Sequence, residues 1–269
     1  GPANATDHRI KWTSSNKTAA TVDENGTVTA LRPIETVTIT AVYKTNPALT
    51  CSWNLKITRT KGYITKQMLD NLDLTSIKKV MITAHPDDET LWGGGHLIEG
   101  EYLVVCMTHG WNPKRRTAFE QTMRTTNDKY LILDYPDVRK TFSNGKYETD
   151  MLSTCKNAMQ EDINLILSYK KWDLIATHNP FGEYGKFLHK TISQMVTQCY
   201  NKMTNKSATL YYFGRYYNSS NKIPGEQIAP ELLAIKNSMV GRYYPTAKGA
   251  IDAFGHMIPY ENWLLPSEW

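Results

Sequence analysis

One short stretch of the sequence concentrates more side chains capable of chemistry than any other. The run KKVMITAHPDDETLWGGG at 78–95 passes from an apolar, β-rich segment straight into a histidine, two aspartates and a glutamate. A short apolar run of this kind predicts a strand buried on both faces, so His85 follows the carboxyl end of that strand. Ligands of open α/β sheets bind at this edge. The stretch therefore predicts a functional site at the edge of a sheet.

The spacing of these residues favours a metal site. Pro86 holds the turn stiff, and His85 and Asp88, three positions apart, can point at one centre while Asp87 points elsewhere. An imidazole and a carboxylate suit a catalytic metal such as zinc, and the remaining carboxylate can handle protons. The simpler alternative is that the acids cap the following helix. Capping accounts for one acid, whereas three acids and a histidine stand here.

A second cluster of polar residues follows a second predicted strand. The strand at 174–177 leads into HNPFGEYGKFLH at 178–189, and an amphipathic helix continues beyond it. Polar groups again gather where a strand ends and a helix begins, so both clusters are expected at the same edge of the sheet. Alone, His189 is more simply a capping or core residue. Together with His85 and Asp88 at the matching edge, it favours a shared metal site.

The two clusters resemble the motifs of the LmbE/PIG-L family of zinc-dependent N-acetyl-sugar deacetylases. AHPDDE at 84–89 matches the family's first motif, and GEYGKFLH at 182–189 resembles its second, GxYGHxxH. The similarity extends from about residue 78 to about residue 209. It implies a Rossmann-like fold and a Zn2+ ion held by His85, Asp88 and His189. It also implies that Asp87 is the general base for a metal-activated water.

Other roles implied by the resemblance are less regular in this chain. Tyr184 matches a tyrosine that polarises the substrate carbonyl, but Lys186 replaces the motif's first histidine. A lysine there could support the oxyanion, or it could be a solvated residue on the first turn of a helix. Arg116, three before Phe119, is the best match to a substrate-binding arginine, with an ordinary solvated basic turn as the alternative.

Two further residues of the clusters, His178 and Glu89, are also predicted to contact substrate. The aromatic residues that dominate from 209 onwards could stack on sugar rings, although a core capped by an irregular tail explains them equally well. Between the clusters, the pattern predicts strands at 102–107 and 131–133 and helices at 114–130 and 150–169.

The amino-terminal residues have a different pattern. Residues 9–58 alternate apolar and polar side chains, which predicts β structure, and Asn25-Gly26 predicts a type I′ turn between strands at 20–22 and 28–30. The string IKWTSSNKTAATVDENGTVTAL resembles the bacterial Ig-like group 2 module, without its first strands and with RPIE where a glycine is usual. A few strands need a packing partner, so we expect this half-sandwich to lean on the second domain. No chemistry is expected in it.

Composition excludes several classes of protein. The net charge of +5 is mild and the basic residues are scattered, which does not indicate nucleic-acid binding. No apolar stretch approaches the roughly 20 residues that a membrane span requires. The glycines at 93–95 lack the GxGxxG pattern of a dinucleotide site. The four cysteines lack metal-finger spacing, although Cys155 and Cys199, in predicted helices, could pair.

The sequence as a whole predicts an α/β protein with a Rossmann-like, mostly parallel sheet, flanking helices and a small Ig-like β domain. The expected divisions are the partial Ig-like module at 1–60, a linker with a bridging helix at 61–76 and the deacetylase-like domain at 77–269. Gly1-Pro2 resembles the remnant of a cleaved tag, so the natural amino terminus, with any signal peptide, is expected to be missing. We expect a secreted or cell-surface bacterial protein.

The expected function is zinc-dependent removal of the acetyl group from an N-acetylated amino sugar or glycan of the GlcNAc/GalNAc type. Two alternatives remain. A carbohydrate-binding protein that has lost catalysis would keep the pocket, and Lys186 is its only support in the sequence. A surface adhesin would rest on the Ig-like module alone. The sequence identifies neither the particular sugar nor the oligomeric state.

Overall fold

The computed structural model describes residues 9–140, 147–204 and 206–269. Its amino-terminal part is an antiparallel β module, which we call the β module (residues 9–58). The strands of the β module are β1 (Ile10–Ser14), β2 (Ala20–Val22), β3 (Val28–Ala30), β4 (Ile34–Tyr43) and β5 (Thr50–Ile57). β1, β4 and β5 form one sheet in that order, and β2 pairs with β3 in a separate hairpin.

The β2–β3 hairpin is confirmed, but the prediction of a type I′ turn is wrong. The N–H of Gly26 donates to the carbonyl of Asp23, and Gly26 has a φ of +84°, whereas Asn25 does not have a positive φ. The Asp23 carboxylate accepts the N–H groups of Asn25 and Thr27. These local hydrogen bonds stabilise a longer turn that needs one left-handed residue rather than two.

The rest of the chain is an α/β region. Its elements in chain order are α1 (Lys66–Asn71), β6 (Lys79–Thr83), α2 (Asp88–Ile98), β7 (Tyr102–Thr108), α3 (Pro113–Thr126), β8 (Lys129–Tyr135), β9 (Arg139–Lys140), β10 (Tyr147–Glu148), α4 (Asp150–Tyr169), β11 (Leu174–Thr177), α5 (Gly182–Gly185), α6 (Phe187–Lys202), β12 (Thr209–Tyr212) and α7 (Pro230–Phe254).

The α/β region is built on a five-stranded sheet in the order β12-β11-β6-β7-β8. All neighbouring pairs in it are parallel, which confirms the predicted α/β class. The chain starts in the middle with β6, moves outward through β7 to β8, and then crosses back to β11 on the other side of β6. The loops after β6 and β11 therefore diverge to opposite faces and leave a crevice between them.

Alternation along the central strand divides the core into two layers. Val80 and Ile82 of β6 belong to a core that includes apolar residues of α1, α4 and α6. Met81 belongs to a second core, with residues of α2, α3 and α7. Both faces of the sheet are thus covered by helices, as its apolar strands require. In the described part of the chain, no helix combines the length and apolarity that crossing a bilayer needs.

Several element boundaries differ from the prediction. α3 ends at Thr126 rather than near residue 130, because Asn127 adopts the left-handed conformation, with φ +59°, and the chain turns directly into β8. The helix at 150–169 and the bridging helix α1 are confirmed. β9 and β10 form a short hairpin after β8, and the segment between them, 141–146, lies outside the described residues.

Glycines let α2 approach its neighbours closely. A Cβ at Gly94 would lie 2.9 Å from Cγ of Lys236 on α7, and one at Gly93 would lie 2.7 Å from Cε of Met81 on β6. Lys236 is fully buried there and pairs with Glu261 at 2.6 Å. The glycine run therefore serves helix packing rather than contact with a nucleotide.

The four cysteines are free thiols, so Cys155 and Cys199 do not pair. The Sγ atom of Cys199 instead accepts a hydrogen bond from Nε2 of Gln160, at 2.5 Å.

The β module does not share a hydrophobic core with the α/β region. Neither of the two cores described above contains a residue of 9–58. A polar contact joins the two parts instead: the Arg32 guanidinium lies 4.3 Å from the centroid of the Trp111 ring. The module therefore contacts its neighbour, while neither core of the α/β region extends into it. It buries a small core of its own, made of Ala19, Ala20, Val37 and Ile39.

Candidate metal centre

Three donor atoms converge in the crevice between the ends of β6 and β11. Nδ1 of His85 lies 3.1 Å from Nε2 of His189, and Oδ2 of Asp88 lies 3.3 Å from the first and 3.4 Å from the second. His85 and Asp88 come from the loop after β6 and the first turn of α2, while His189 lies in the first turn of α6. The structure thus brings together the three residues that the sequence predicts as metal ligands.

The spacing of these atoms suits a small divalent ion. Ligands of a tetrahedral zinc site lie about 2.0–2.2 Å from the metal and therefore about 3.3 Å from one another. The three observed separations are all close to this value. Three protein donors are also the number that catalytic zinc sites use, since a water molecule takes the remaining position there.

Each imidazole is oriented by a carboxylate on its outer nitrogen. Nε2 of His85 donates to Oδ1 of Asp137 at 2.9 Å, and Nδ1 of His189 donates to Oε2 of Glu183 at 2.5 Å. The inner nitrogens are then unprotonated in the neutral rings and present lone pairs towards Asp88. Such carboxylate–imidazole pairs fix the tautomer and raise the basicity of metal-binding histidines.

His178 supports the centre from beneath. It is fully buried and stacks on His189 with 3.9 Å between ring centroids. Its Nε2 accepts the backbone N–H of Ala84, so its Nδ1 donates to the Glu183 carboxylate, 3.1 Å away. Although burial raises the pKa of Glu183, the imidazoles of His178 and His189 lower it overall. The second group of possible ligands, His178, Glu183 and His189, is therefore already held together by hydrogen bonds.

The carboxylate of Asp87 is not one of the three converging donors. Its Oδ2 lies 3.2 Å from Nη2 of Arg115, and both side chains line the same small cavity. Burial raises the pKa of Asp87 to about 7, an effect that Arg115 opposes. The residue also has a φ of +144°, which is costly for a residue with a side chain and is typical of functional positions.

Glu89 holds this strained turn in place. Its side chain is fully buried, accepts hydrogen bonds from the hydroxyls of Tyr243 and Thr90, and accepts the N–H of Asp87 at 3.1 Å. Neither Glu89 nor His178 lines the cavity. The structure therefore places these two residues beneath the site as supports, rather than on its surface, where substrate contact was predicted.

The small cavity in front of the donor atoms has a volume of about 110 Å³, and we call it the catalytic cavity after the role that we propose for it. Tyr184 and Lys186, both predicted from the second motif, line it. The Tyr184 ring packs on Phe254 of α7, with 4.4 Å between centroids, and meets the His189 ring edge-on. Although burial raises the pKa of Asp137, His85 and the charge of Lys186 help to lower it overall.

Two residues of the site were not predicted. The arginine that enters the cavity is Arg115, whereas Arg116 is half exposed and faces Glu120. The spacing along α3 could have identified Arg115. It lies three and four residues before the buried Ala118 and Phe119, and therefore on the same face of the helix. Asp137 was also missed, although it follows the strand predicted at 131–133 and hence lies at the same sheet edge.

The comparisons with known proteins agree with the two-part architecture. Residues 1–52 match the family model described as bacterial Ig-like domain (group 2). The fold resembles the crystal structure of the conserved protein TT1542 from Thermus thermophilus, with a TM-score of 0.51 and 12% identity, over 72% of this chain and 96% of that one. At that identity the likeness concerns the fold alone.

Two sequence relatives are uncharacterized proteins. One, from Clostridium acetobutylicum, is 33% identical over 91 residues, which are 34% of this chain and 9% of that protein. The other, protein L374 of Acanthamoeba polyphaga mimivirus, is 31% identical over 175 residues, which are 59% of this chain and 67% of the viral protein. By this match the chain belongs to the same family as the mimivirus protein, and in this chain a bacterial Ig-like domain stands at the amino terminus.

Proposed function

We propose that this protein is a zinc-dependent hydrolase that removes the acetyl group from an N-acetylated amino sugar or glycan. The observation that carries the proposal is the set of donor atoms on His85, Asp88 and His189, spaced as the ligands of one ion. The separate carboxylate of Asp87 lines the cavity beside them. The resemblance of both motifs to the LmbE/PIG-L deacetylases supports the same chemistry.

The donor set itself fits a cation. In the neutral rings that a metal requires, the outer nitrogens of His85 and His189 donate to carboxylates, so no ring hydrogen lies between their inner nitrogens and Asp88. Three lone-pair-bearing atoms at 3.1–3.4 Å repel one another unless a positive charge lies among them. Two nitrogens and one oxygen form a ligand set typical of catalytic zinc. Bound there, zinc would lower the pKa of a water molecule and polarise the acetamide carbonyl.

Asp87 handles the protons in this proposal. Its carboxylate accepts a proton from the attacking water and delivers it to the nitrogen of the breaking amide bond, so that acetate and a free amine are released. Arg115, 3.2 Å away, orients the carboxylate and offers a positive charge that favours its ionised form. The buried Glu89 carboxylate accepts the backbone N–H of Asp87 and so fixes the backbone position from which the Asp87 side chain extends.

Tyr184 and Lys186 are placed to stabilise charge on the carbonyl oxygen. Both line the catalytic cavity, and burial raises the pKa of Tyr184, so its hydroxyl keeps the proton that it can donate. An ammonium group donates up to three hydrogen bonds and attracts developing negative charge. Lysine in place of the usual histidine removes a second group able to exchange protons near neutral pH, which leaves that task to Asp87.

The Ig-like domain supports a location outside the cell. Bacterial modules of this kind usually space or present a catalytic domain at a surface, and residues 1–52 match such a module. We therefore propose that the enzyme acts on glycans that are secreted or exposed.

The direct test combines metal analysis with product analysis. Protein purified without added metal is assayed for bound zinc, and the zinc-loaded protein is assayed for acetate release from a panel of N-acetylated sugars and oligosaccharides. We expect zinc to be bound by the wild type and by a His256→Ala control, and to be lost in His85→Ala and His189→Ala. His256 is a suitable control because its Nε2 contacts the carbonyl of Tyr217 and it does not line the catalytic cavity.

Two results would contradict the proposal. Unchanged zinc content in both ligand variants would show that the metal site is elsewhere. Zinc and sugar binding without acetate release from any substrate would favour the alternative of a carbohydrate-binding protein that has lost catalysis.

A further inference from the structure

A larger cavity lies between the β module and the α/β region. Its volume is about 600 Å³, and we call it the interdomain groove. Asp137 lines both this groove and the catalytic cavity, so the two spaces meet at the residue that orients His85. The polar and aromatic residues that line the groove include Asn16, Arg32 and Glu35 from the module and His109, Trp111 and Asp137 from the α/β region.

The volumes of the two cavities indicate that they hold different parts of a ligand. Binding pockets for small molecules occupy about 300–1,000 Å³. The catalytic cavity, at about 110 Å³, is smaller than that range and suits only the reacting end of a substrate. The interdomain groove, at about 600 Å³, lies within the range and shares the lining residue Asp137 with the catalytic cavity.

Arg32 of the module presents an unused hydrogen-bond donor beside the groove. Its guanidinium lies over the Trp111 ring, Nη2 donates to Oγ1 of Thr18 at 3.2 Å, and Nη1 donates to the carbonyl of Pro33 at 3.4 Å. Nε is buried and has no partner among the described residues. Because Nε itself is buried, a ligand would be bound by the Nη atoms: each has one acceptor among the described residues, so N–H groups remain for a ligand oxygen in the groove that Arg32 lines.

His109 presents an acceptor on the opposite wall. The hydroxyl of Thr108 donates to the carbonyl of Ala84, so the 2.7 Å contact between Thr108 Oγ1 and His109 Nδ1 is a hydrogen bond donated by the ring. Nε2 of the neutral ring is therefore an acceptor. His109 also has a φ of +68°, a conformation that is costly for a residue with a side chain and is typical of functional positions.

The charges around the groove limit what it can bind. Among the residues that the structure describes, carboxylates of Glu35, Asp137 and Asp150 line it together with one guanidinium, that of Arg32. Glu35 is paired with Lys56 at 2.9 Å, whereas Asp137 is bonded to His85. This balance disfavours acidic ligands such as glycans with uronic acids, and it suits neutral ligands rich in hydroxyl and amide groups.

We propose that the interdomain groove binds the part of a neutral N-acetylhexosamine oligosaccharide that extends beyond the reacting sugar. Arg32 and His109 bind its polar groups. The inference rests on the proposed deacetylase function and specifies its substrate as an oligosaccharide rather than a single sugar. It also gives the β module a part in substrate binding, where the sequence indicated none.

Calorimetric binding to the full-length, zinc-loaded Asp87→Asn protein tests the proposal without turnover. The probes are a tetramer of β-1,4-linked N-acetylglucosamine and the single sugar. We expect the tetramer to bind more tightly, and Arg32→Ala to weaken its binding by about 10- to 100-fold while leaving binding of the single sugar unchanged. Lys11→Ala, an exposed charge on the same module away from the groove, is the matched control and should bind both probes like the parent.

A conservative variant separates loss of the contact from loss of the fold. Arg32→Lys keeps the positive charge but lacks the paired Nη donors and the planar group over Trp111, so it should fold normally and still bind the tetramer more weakly than the parent. Thermal melting of each variant checks folding. Equal binding of the two probes by the parent protein overturns the proposal, as does parental affinity for the tetramer in Arg32→Ala.

The same samples distinguish this inference from the function on which it rests. In wild-type protein, acetate release from both probes without a preference for the tetramer supports the hydrolase and overturns the groove. Tetramer binding that depends on Arg32, without acetate release, supports the groove as a binding site and overturns the hydrolase.

Discussion

The segments that follow β6 and β11 contribute different kinds of residues to the site at the crevice. The loop after β6 supplies His85, Asp87 and Asp88 within four residues, two as donor atoms and one as the carboxylate of the cavity. The segment after β11 extends further before it supplies His189, and it devotes the buried Glu183 to orienting that ring. In the proposed function the β6 end thus supplies most of the reacting groups, and the β11 end supplies one donor and mainly supporting residues.

The supports of the two imidazoles also differ. Asp137, which orients His85, comes from the loop after β8, and its side chain is 25% exposed beside the groove. Glu183, which orients His189, is fully buried and also holds His178. The His85 ring is therefore oriented by a carboxylate that solvent reaches, and the His189 ring by a carboxylate in the interior. Substitutions on the two sides should have different consequences.

The largest effect is expected within the β6 end, between its two aspartates. Asp87→Asn should retain the metal and lower kcat by about 10²- to 10⁴-fold, since an amide cannot accept the proton. Asp88→Asn should instead lower metal content, because its oxygen lies among the donor atoms at 3.3–3.4 Å. Metal content and kcat of both variants are measured on the same preparations. Equal loss of metal in the two would show that Asp87 is a ligand and not the base.

A smaller effect should distinguish the two supports. Both Glu183→Gln and Asp137→Asn should weaken metal affinity by about 10- to 100-fold, the range seen when partners of metal-binding histidines are changed. The larger loss is expected for Glu183→Gln, because the buried carboxylate serves two imidazoles and water cannot replace it. Competition with a chelator measures the affinities. A larger loss in Asp137→Asn would show that the partly exposed carboxylate contributes more to metal affinity than the buried one.

Much of the site follows from the sequence because it depends on local features. The strand before His85, the stiff turn and the helix after it are specified by neighbouring residues, and parallel strands bring their ends to one edge. The candidate ligands His85, Asp88 and His189 were predicted in this way, and the structure brings their donor atoms together.

The features that the sequence did not reveal depend on details of packing. Which arginine enters the cavity is decided by one step of helical phase between Arg115 and Arg116. The roles of Glu89 and His178 depend on their complete burial, which motif resemblance does not show. The position of Arg32 over Trp111 depends on how two separately folded parts meet, and no local pattern encodes that contact.

The smallest effect is expected from removing the part of the molecule that contains none of the proposed ligands. Deleting residues 1–58 removes no residue from either core of the α/β region. The anchors at the start of that region remain, because the N–H groups of Tyr63 and Ile64 donate to the Asp162 carboxylate at 2.9 and 2.8 Å. The melting temperature of the α/β transition should therefore change by no more than about 2 °C.

The same deletion should leave zinc content and the rate of acetate release from a single N-acetylated sugar within about twofold of wild type, an effect of the size seen for surface changes. An oligosaccharide, by contrast, should lose the binding that Arg32 provides, so that its KM approaches that of the single sugar. Arg32→Ala in the full-length protein is the matched control, because it removes the contact over Trp111 and leaves the module in place. A folded deletion that retains zinc but fails on the single sugar would show that the module shapes the catalytic cavity itself, and the separation between chemistry at the strand ends and binding in the groove would then be wrong.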